Sequence, residues 1–314
     1  MNAIKKIWSR EILDSRGIPT VECYCLLTDG RFATTSVPAG TSMGSHEALE
    51  LRDKDEKRYH GEGVLKACEN INTILGPALE GIDAIKQVEI DQKLINLDGT
   101  ENKTKYGGNA ILAISQVVCK AAATLQNKAL YAWINELAVE RGMQKGVRLP
   151  TPLLNMINGG LHGAGNLDFQ EFWMIPATNK KFSEGLQMGV EIYQSIGDNL
   201  ARRGATHSVG HEGGYAPNLF TNADAFEVFV ESVKATDYSL GRDVFLGLDI
   251  AANSFYKNGD YTIRDRSSAL SDDQLLDYYK ELINTYKLAI LEDAFQEDAW
   301  DSWKKLYQEL AGSA

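Results

Sequence analysis

The chain has 314 residues, 44% of them hydrophobic and 24% charged, with a formal net charge of −11 and a pI near 5.0. That length allows two domains and a large core, and the composition is that of a soluble globular protein. The acidic balance excludes a cheap basic face for nucleic acid, so an anionic substrate would need local lysines, arginines or metal ions.

Residues 3–37 read as a three-stranded meander. Asp14-Ser15-Arg16-Gly17 is a turn, residues 20–27 alternate polar and apolar, and Asp29-Gly30 is a hairpin signal. Cys23 and Cys25 share one face of a strand. Together with Cys68 and Cys119 they show no metal-ligand spacing, so all four are read as small buried thiols. The small-residue loop at 38–45 is a mobile lid or a plain linker, and Thr41 and Ser42 supply its hydroxyls. Helical apolar spacing then runs over 64–75, 85–94, 109–125 and 130–140. The third of these is rich in Ala and apolar on most faces, the pattern of a buried helix. Residues 1–140 therefore read as an α+β domain, and the polar stretch 142–150 as a linker.

From Thr151 the rhythm alternates. Strands are expected at 152–157, 169–175, 244–250 and 288–291. Helices are expected at 182–203, 223–235, 271–286 and 298–310, and a hairpin around Asn258-Gly259. Such alternation predicts a parallel sheet with crossovers. The 164 positions from Thr151 onward hold about four or five strands, against ~250 residues for a closed eight-stranded barrel. The fold class is α/β: an N-terminal α+β domain (a three-stranded meander plus helices), then, over 141–314, a sheet that is either open by design or the first part of an incomplete (β/α)8 barrel. No apolar run reaches the ~18 residues of a membrane span. The N-terminus does not read as a signal peptide, so the expected compartment is the cytoplasm.

The stretch V-G-H-E-G-G-Y-A-P-N (209–218) sets one carboxylate, Glu212, between a His and two glycines. Alone it reads as a connecting loop. Asp249 and Glu292, 43 positions apart, each end a short apolar run, as acids do at the catalytic face of a barrel. Glu171 belongs to the same expected rim. Each acid singly is also a common helix cap. As a set they make a hard, oxygen-only site suited to Mg²⁺. His162, in the Gly-rich loop 158–166, is placed to meet that site or to be solvated. No Ser-His-Asp or Cys-His order, Walker loop or G-x-G-x-x-G appears.

Eight segments in order carry a resemblance: L-D-S-R-G-I-P-T-V-E (13–22), V-P-A-G-T-S-M-G-S-H-E-A (37–48), E-L-R-D (50–53), N-G-G-L-H-G-A-G-N (158–166), F-Q-E-F-W-M-I-P (169–176), G-H-E-G-G-Y-A-P-N (210–218), L-D-I-A-A (248–252) and I-L-E-D (290–293). Together they resemble enolase. The resemblance implies a small α+β domain followed by an enolase-type (β/α)8 barrel, and interconversion of 2-phosphoglycerate and phosphoenolpyruvate with Mg²⁺. Sites in this superfamily use a Lys or His base with one or two Mg²⁺. By the same resemblance Glu212 matches the acid for the leaving hydroxyl and Glu171 its partner. Gln170 and His162 match substrate contacts, Asp249 and Glu292 two of three carboxylates on Mg²⁺, and Ser42 the lid serine on a second Mg²⁺. It further implies a homodimer, with residues 10–16 resembling part of the interface or forming an ordinary exposed turn.

Four departures stand out: His211 where the family usually has Asp, Ala39 for a common Ser, Met43 for a common Thr, and Ala294 for Pro or Gly. A cationic imidazole beside Glu212 would favour its ionised form, so His211 is expected to stay neutral or point away. The family's third metal carboxylate, lysine base and phosphate-binding Arg-Ser would lie beyond Ala314, so the sequence is expected to be truncated and inactive as it stands. Two alternatives accompany this reading: a superfamily member acting on another carboxylate, and a non-catalytic enolase-scaffold structural or surface-binding protein.

Overall fold

A computed structural model describes residues 3–40, 44–144, 146–163, 165–210 and 212–310. The chain divides into two compact units, Met1–Arg148 and Leu149–Ala314. In the first, β1 (Ile4–Leu13), β2 (Pro19–Leu27) and β3 (Phe32–Ser36) form the expected antiparallel meander. Alternation along β2 buries Val21, Cys23, Cys25 and Leu27 against helices. Burial pushes the Cys25 thiol up to about 12 and Cys68 to about 11, so these are inert core groups. Cys119 departs from the expectation and is only half-buried.

The helix expected at 64–75 is interrupted. It runs as α1 (Leu65–Asn70), a π turn over Ile71–Leu75, and α2 (Gly76–Leu79). The turn brings Asn72 Oδ1 within 2.7 Å of the Ser9 amide, which donates to it and ties the helix to β1. α3 (Gln87–Asp98) starts two residues later than expected and ends on Gly99 at φ +68. α4 (Gly108–Leu125) and α5 (Leu130–Glu140) follow. α4 corrects one expectation, because it is long and apolar enough to cross a membrane. Its Ala110, Ala113, Ile114, Val117, Val118 and Ala121 are instead buried in the core of this unit.

The second unit is built on β4 (Leu154–Asn158), β5 (Glu171–Pro176), α6 (Phe182–Arg202), α7 (Asn222–Lys234), β6 (Val244–Asp249), the hairpin β7 (Tyr256–Lys257) and β8 (Asp260–Tyr261), α8 (Asp272–Tyr286), β9 (Leu288–Glu292) and α9 (Trp300–Leu310). The sheet order is β4-β5-β6-β9. It is not the all-parallel sheet that the alternation predicts. β4 with β5 and β5 with β6 are antiparallel, and only β6 with β9 is parallel. The connections explain this. β4 reaches β5 through a loop with no long helix. Two helices, α6 and α7, separate β5 from β6, so the chain re-enters from the end it left. A single helix, α8, returns it to start β9 alongside β6. Behind the sheet, Phe169 meets Phe172, Phe255, Tyr278 and Tyr279 with ring centroids 6.2–6.4 Å apart, the centre of the core.

Candidate active site

Mixed strand direction is what gathers the acids. Because β5 runs against β6, the first residue of β5 lies beside the last residue of β6. In register, Asn158 pairs with Glu171, Glu171 with Asp249, and Asp249 with Glu292. Register partners project to the same face, so these four side chains form one row at one end of the sheet. Backbone bonds clip the row: the Gln170 amide donates to the Asp249 carbonyl at 3.0 Å and the Ile250 amide to the Glu292 carbonyl at 3.0 Å. Past the acids the chain turns sharply through Ala251 and Asp293, non-glycine residues held at φ +49 and +48. Such strain gathers at functional sites and persists only where surrounding bonds enforce it.

The Gly-rich loop 158–166 folds back on β5. The Gly159 amide donates to the Gln170 carbonyl at 2.8 Å and the Gly160 amide to the Leu167 carbonyl at 2.9 Å. A Cβ on Gly159 would collide with the Phe169 carbonyl oxygen, so the close approach requires glycine. This closure delivers His162 beside the row. The Glu212 loop is pinned likewise: the Tyr215 amide donates to the Met156 carbonyl at 2.9 Å, and the Asn158 amide to the Tyr215 carbonyl at 2.7 Å. Tyr215 stacks on Tyr193 at 4.3 Å, and the Tyr193 hydroxyl donates to the Gly213 carbonyl at 2.8 Å.

His162, Glu171 and Glu212 thus converge, with ligand atoms within 4.8 Å of one another. His162 Nδ1 stands 3.0 Å from Glu212 Oε2 and 3.2 Å from Glu171 Oε1, close contacts without hydrogen-bond angles. Asn155 Nδ2 donates to Glu212 Oε2 at 3.3 Å, and Trp173 Nε1 to Glu171 Oε2 at 2.7 Å. Burial, then the Glu212 carboxylate, push Glu171 up to about 7. Asp249 is pushed up to about 6, mainly by burial, although Gln170 Nε2 donates to its Oδ2 at 2.8 Å and the Ala251 amide to its Oδ1 at 3.1 Å. Glu292 is raised by burial and by the charges of Asp249, Asp293 and Glu171.

The donor chemistry separates two groupings. Asp249 and Glu292 offer only hard oxygens, and among the described residues no Lys or Arg pairs with either. That uncompensated charge fits Mg²⁺. The N,O,O set of His162, Glu171 and Glu212 suits proton transfer, or a metal more tolerant of imidazole. Gln170 sits between the groupings through its bond to Asp249. Ser42, expected on the metal, lies outside the described residues, as do Thr41, Met43 and His211.

Sequence reasoning missed four polar side chains that build this site: Asn155, Asn158, Trp173 and Asn222. Asn155 Oδ1 and both polar atoms of Asn158 are buried without a protein hydrogen-bond partner, as are both ring nitrogens of His162. Buried orphans are rare, and these adjoin the Glu212 loop. The signal was an Asn inside an apolar strand, where an amide is costly without a purpose. Asn222 opens α7 and is fully buried. Its Oδ1 accepts from the Asp168 and Phe169 amides at 3.0 and 3.1 Å, and its Nδ2 donates to Asp265 Oδ2 at 2.6 Å. It therefore holds the residues leading into Gln170 and Glu171. Asn222→Ala orphans both amides and should cost about 3 kcal/mol in a urea melt; a loss under about 0.5 kcal/mol would show that the amide group bears no such load.

Two family models match the chain. The one described as enolase, N-terminal domain, covers residues 4–134, and the one described as enolase, C-terminal TIM barrel domain, covers residues 146–313.

Proposed function

The chain belongs to the enolase family, and from that premise we propose that it catalyses the Mg²⁺-dependent, reversible dehydration of 2-phosphoglycerate to phosphoenolpyruvate in glycolysis and gluconeogenesis. Membership makes a lyase-type chemistry the starting point. The observation that carries the finer reading is the row Glu171–Asp249–Glu292 in cross-strand register, with His162 and Glu212 against its Glu171 end.

Each group then has one task. Glu212, the most exposed of the three converging side chains, donates the proton that lets hydroxide leave as water. Glu171, pushed up to about 7 first by burial, is partly protonated at neutral pH rather than adding a full fixed charge beside Glu212. His162 and Gln170 orient the substrate. Asp249 and Glu292 would hold Mg²⁺. The metal supplies electrostatic stabilisation for the charge that gathers on the substrate carboxylate when the neighbouring carbon loses its proton. The same reading carries a cytoplasmic homodimer as its expected form.

The test is an assay on the purified protein. With Mg²⁺ it should form phosphoenolpyruvate from 2-phosphoglycerate, seen as new absorbance in the ultraviolet, and lose that activity with excess chelator. Purified, metal-loaded protein that leaves 2-phosphoglycerate unchanged would sink the reading.

A further inference from the structure

Strand β5 brings a second side chain to the rim. Period-two alternation puts Trp173 on the face that carries Glu171, and the indole Nε1–H donates to Glu171 Oε2 at 2.7 Å. The ring is 6% exposed, so this bond is the outlet for a buried donor. Directly across the ladder, on β6, stands Gly247. A Cβ there would lie 3.2 Å from Trp173 Cε3 and 2.8 Å from Ile175 Cδ1. Glycine weakens a strand interior, and a common reason for finding it there is a group that must approach closely. Here the groups are the Ile175 side chain and the indole.

The consequence falls on the other oxygen of the carboxylate. Glu171 Oε1 stands 3.2 Å from His162 Nδ1, whose ring nitrogens have no hydrogen-bond partner of their own. A glutamate free to rotate would spread over several rotamers, some of them away from the imidazole. We propose that Trp173 is a positioning residue: its indole, seated in the space that Gly247 leaves, fixes Glu171 so that Oε1 faces His162 and the Glu212 carboxylate. Trp173 touches no reacting atom and acts only through Glu171. The proposal rests on the reading of Glu171 as the partner of the acid.

Two variants separate the N–H from the ring. Trp173→Phe keeps an aromatic ring and removes the donor. Gly247→Ala keeps every polar atom and crowds both Ile175 and the indole. Each should lower kcat by about 10- to 100-fold, the usual cost of losing an outer support of a site. KM should stay within about twofold, because ground-state binding is untouched. The double variant should be no slower than Trp173→Phe, since both changes remove one interaction. Thermal unfolding of each variant checks that it is folded.

A second arm uses no turnover. In ¹H–¹⁵N spectra of the protein, the Trp173 indole signal is identified by its loss in Trp173→Phe. It should lie downfield of the other four tryptophans and move toward them in Glu171→Ala and in Gly247→Ala. The His162 ring signals should shift in Trp173→Phe. An indole signal indifferent to Glu171→Ala, or an unmoved His162, overturns the proposal, as does a folded Trp173→Phe enzyme with the parent's kcat. If the parent itself turns over no 2-phosphoglycerate, the reading of the reaction fails, and the spectra alone decide the positioning.

Discussion

Asparagine in place of Asp249 should stabilise the metal-free protein at pH 8 by about 2 kcal/mol and, at the same time, abolish saturable Mg²⁺ binding. Asp249 is 8% exposed, and its carboxyl is pushed up to about 6, first by burial and then by Glu171 and Asp293, against the pull of Gln170. Its folded pKa therefore lies above the unfolded one of about 3.9, and the native state holds the extra proton between about pH 4 and pH 6. Stability from this group is fully present below that window and is lost as pH rises through 6. At pH 8 the ionised carboxylate burdens the fold by on the order of 3 kcal/mol, because each pH unit between the unfolded and folded values is worth ~1.4 kcal/mol. Asparagine removes the charge but presents one oxygen instead of two, so the Gln170 or the Ala251 donor is lost, an offset of about 1 kcal/mol. Urea melts of parent and Asp249→Asn at pH 8 and pH 4.5 should show the gain at the higher pH only. Adding Mg²⁺ should invert the order, because a ligand at 100 times its Kd adds about 2.7 kcal/mol to the protein that binds it and nothing to the other. A variant less stable than its parent at pH 8, or one with undiminished Mg²⁺ binding by calorimetry, would show that the acid row is an ordinary structural network.

That row was legible in the sequence as chemistry but not as geometry. Acids at the ends of apolar runs are visible in the sequence, and so is the hard-oxygen character they share. Strand direction is not carried by any residue in the strands. It follows from how many helices intervene, and the pair α6 and α7 between β5 and β6 reverses the sheet that simple alternation predicts. That reversal sets Glu171, at the start of its strand, against Asp249, at the end of another.

Local signals fared according to how local their physics is. Asn258-Gly259 forms its hairpin with both residues at positive φ, +55 and +97, as such a dipeptide should. Ser271 caps α8 by accepting from the Gln274 amide. The π turn at Ile71–Leu75 was invisible, because its anchor is the long-range Asn72–Ser9 bond. Trp173 was invisible for the same reason: an indole within Phe-Trp-Met-Ile reads as core, and only the pairing with Gly247 and the bond to Glu171 reveal its polar end. The enolase resemblance and the two domain matches agree over nearly the whole chain, while the roles of single residues belong to the proposed function.

Glu212→Gln should cut kcat by about 10²- to 10⁴-fold, the span that general acid catalysis contributes. The substitution is close to isosteric. The Glu212 side chain is 41% exposed and is held by a 3.3 Å bond from Asn155 and by its place next to His162, so stability should change by less than about 0.5 kcal/mol. What vanishes is a transferable proton. Hydroxide is a poor leaving group, and without an acid the step that expels it carries the full barrier. Removal of the carbon-bound proton, by contrast, would be assisted by the metal and by a separate base, and in the proposed reading Glu212 takes neither part. The variant should therefore still exchange that proton with deuterated solvent, at a rate well above its rate of phosphoenolpyruvate formation. KM should move by no more than about threefold, because the lost interaction belongs to the transition state. Equal losses of exchange and dehydration would mean that Glu212 acts before the carbanion forms, as the base or its organiser, and the division of labour between Glu212 and Glu171 would have to be reversed.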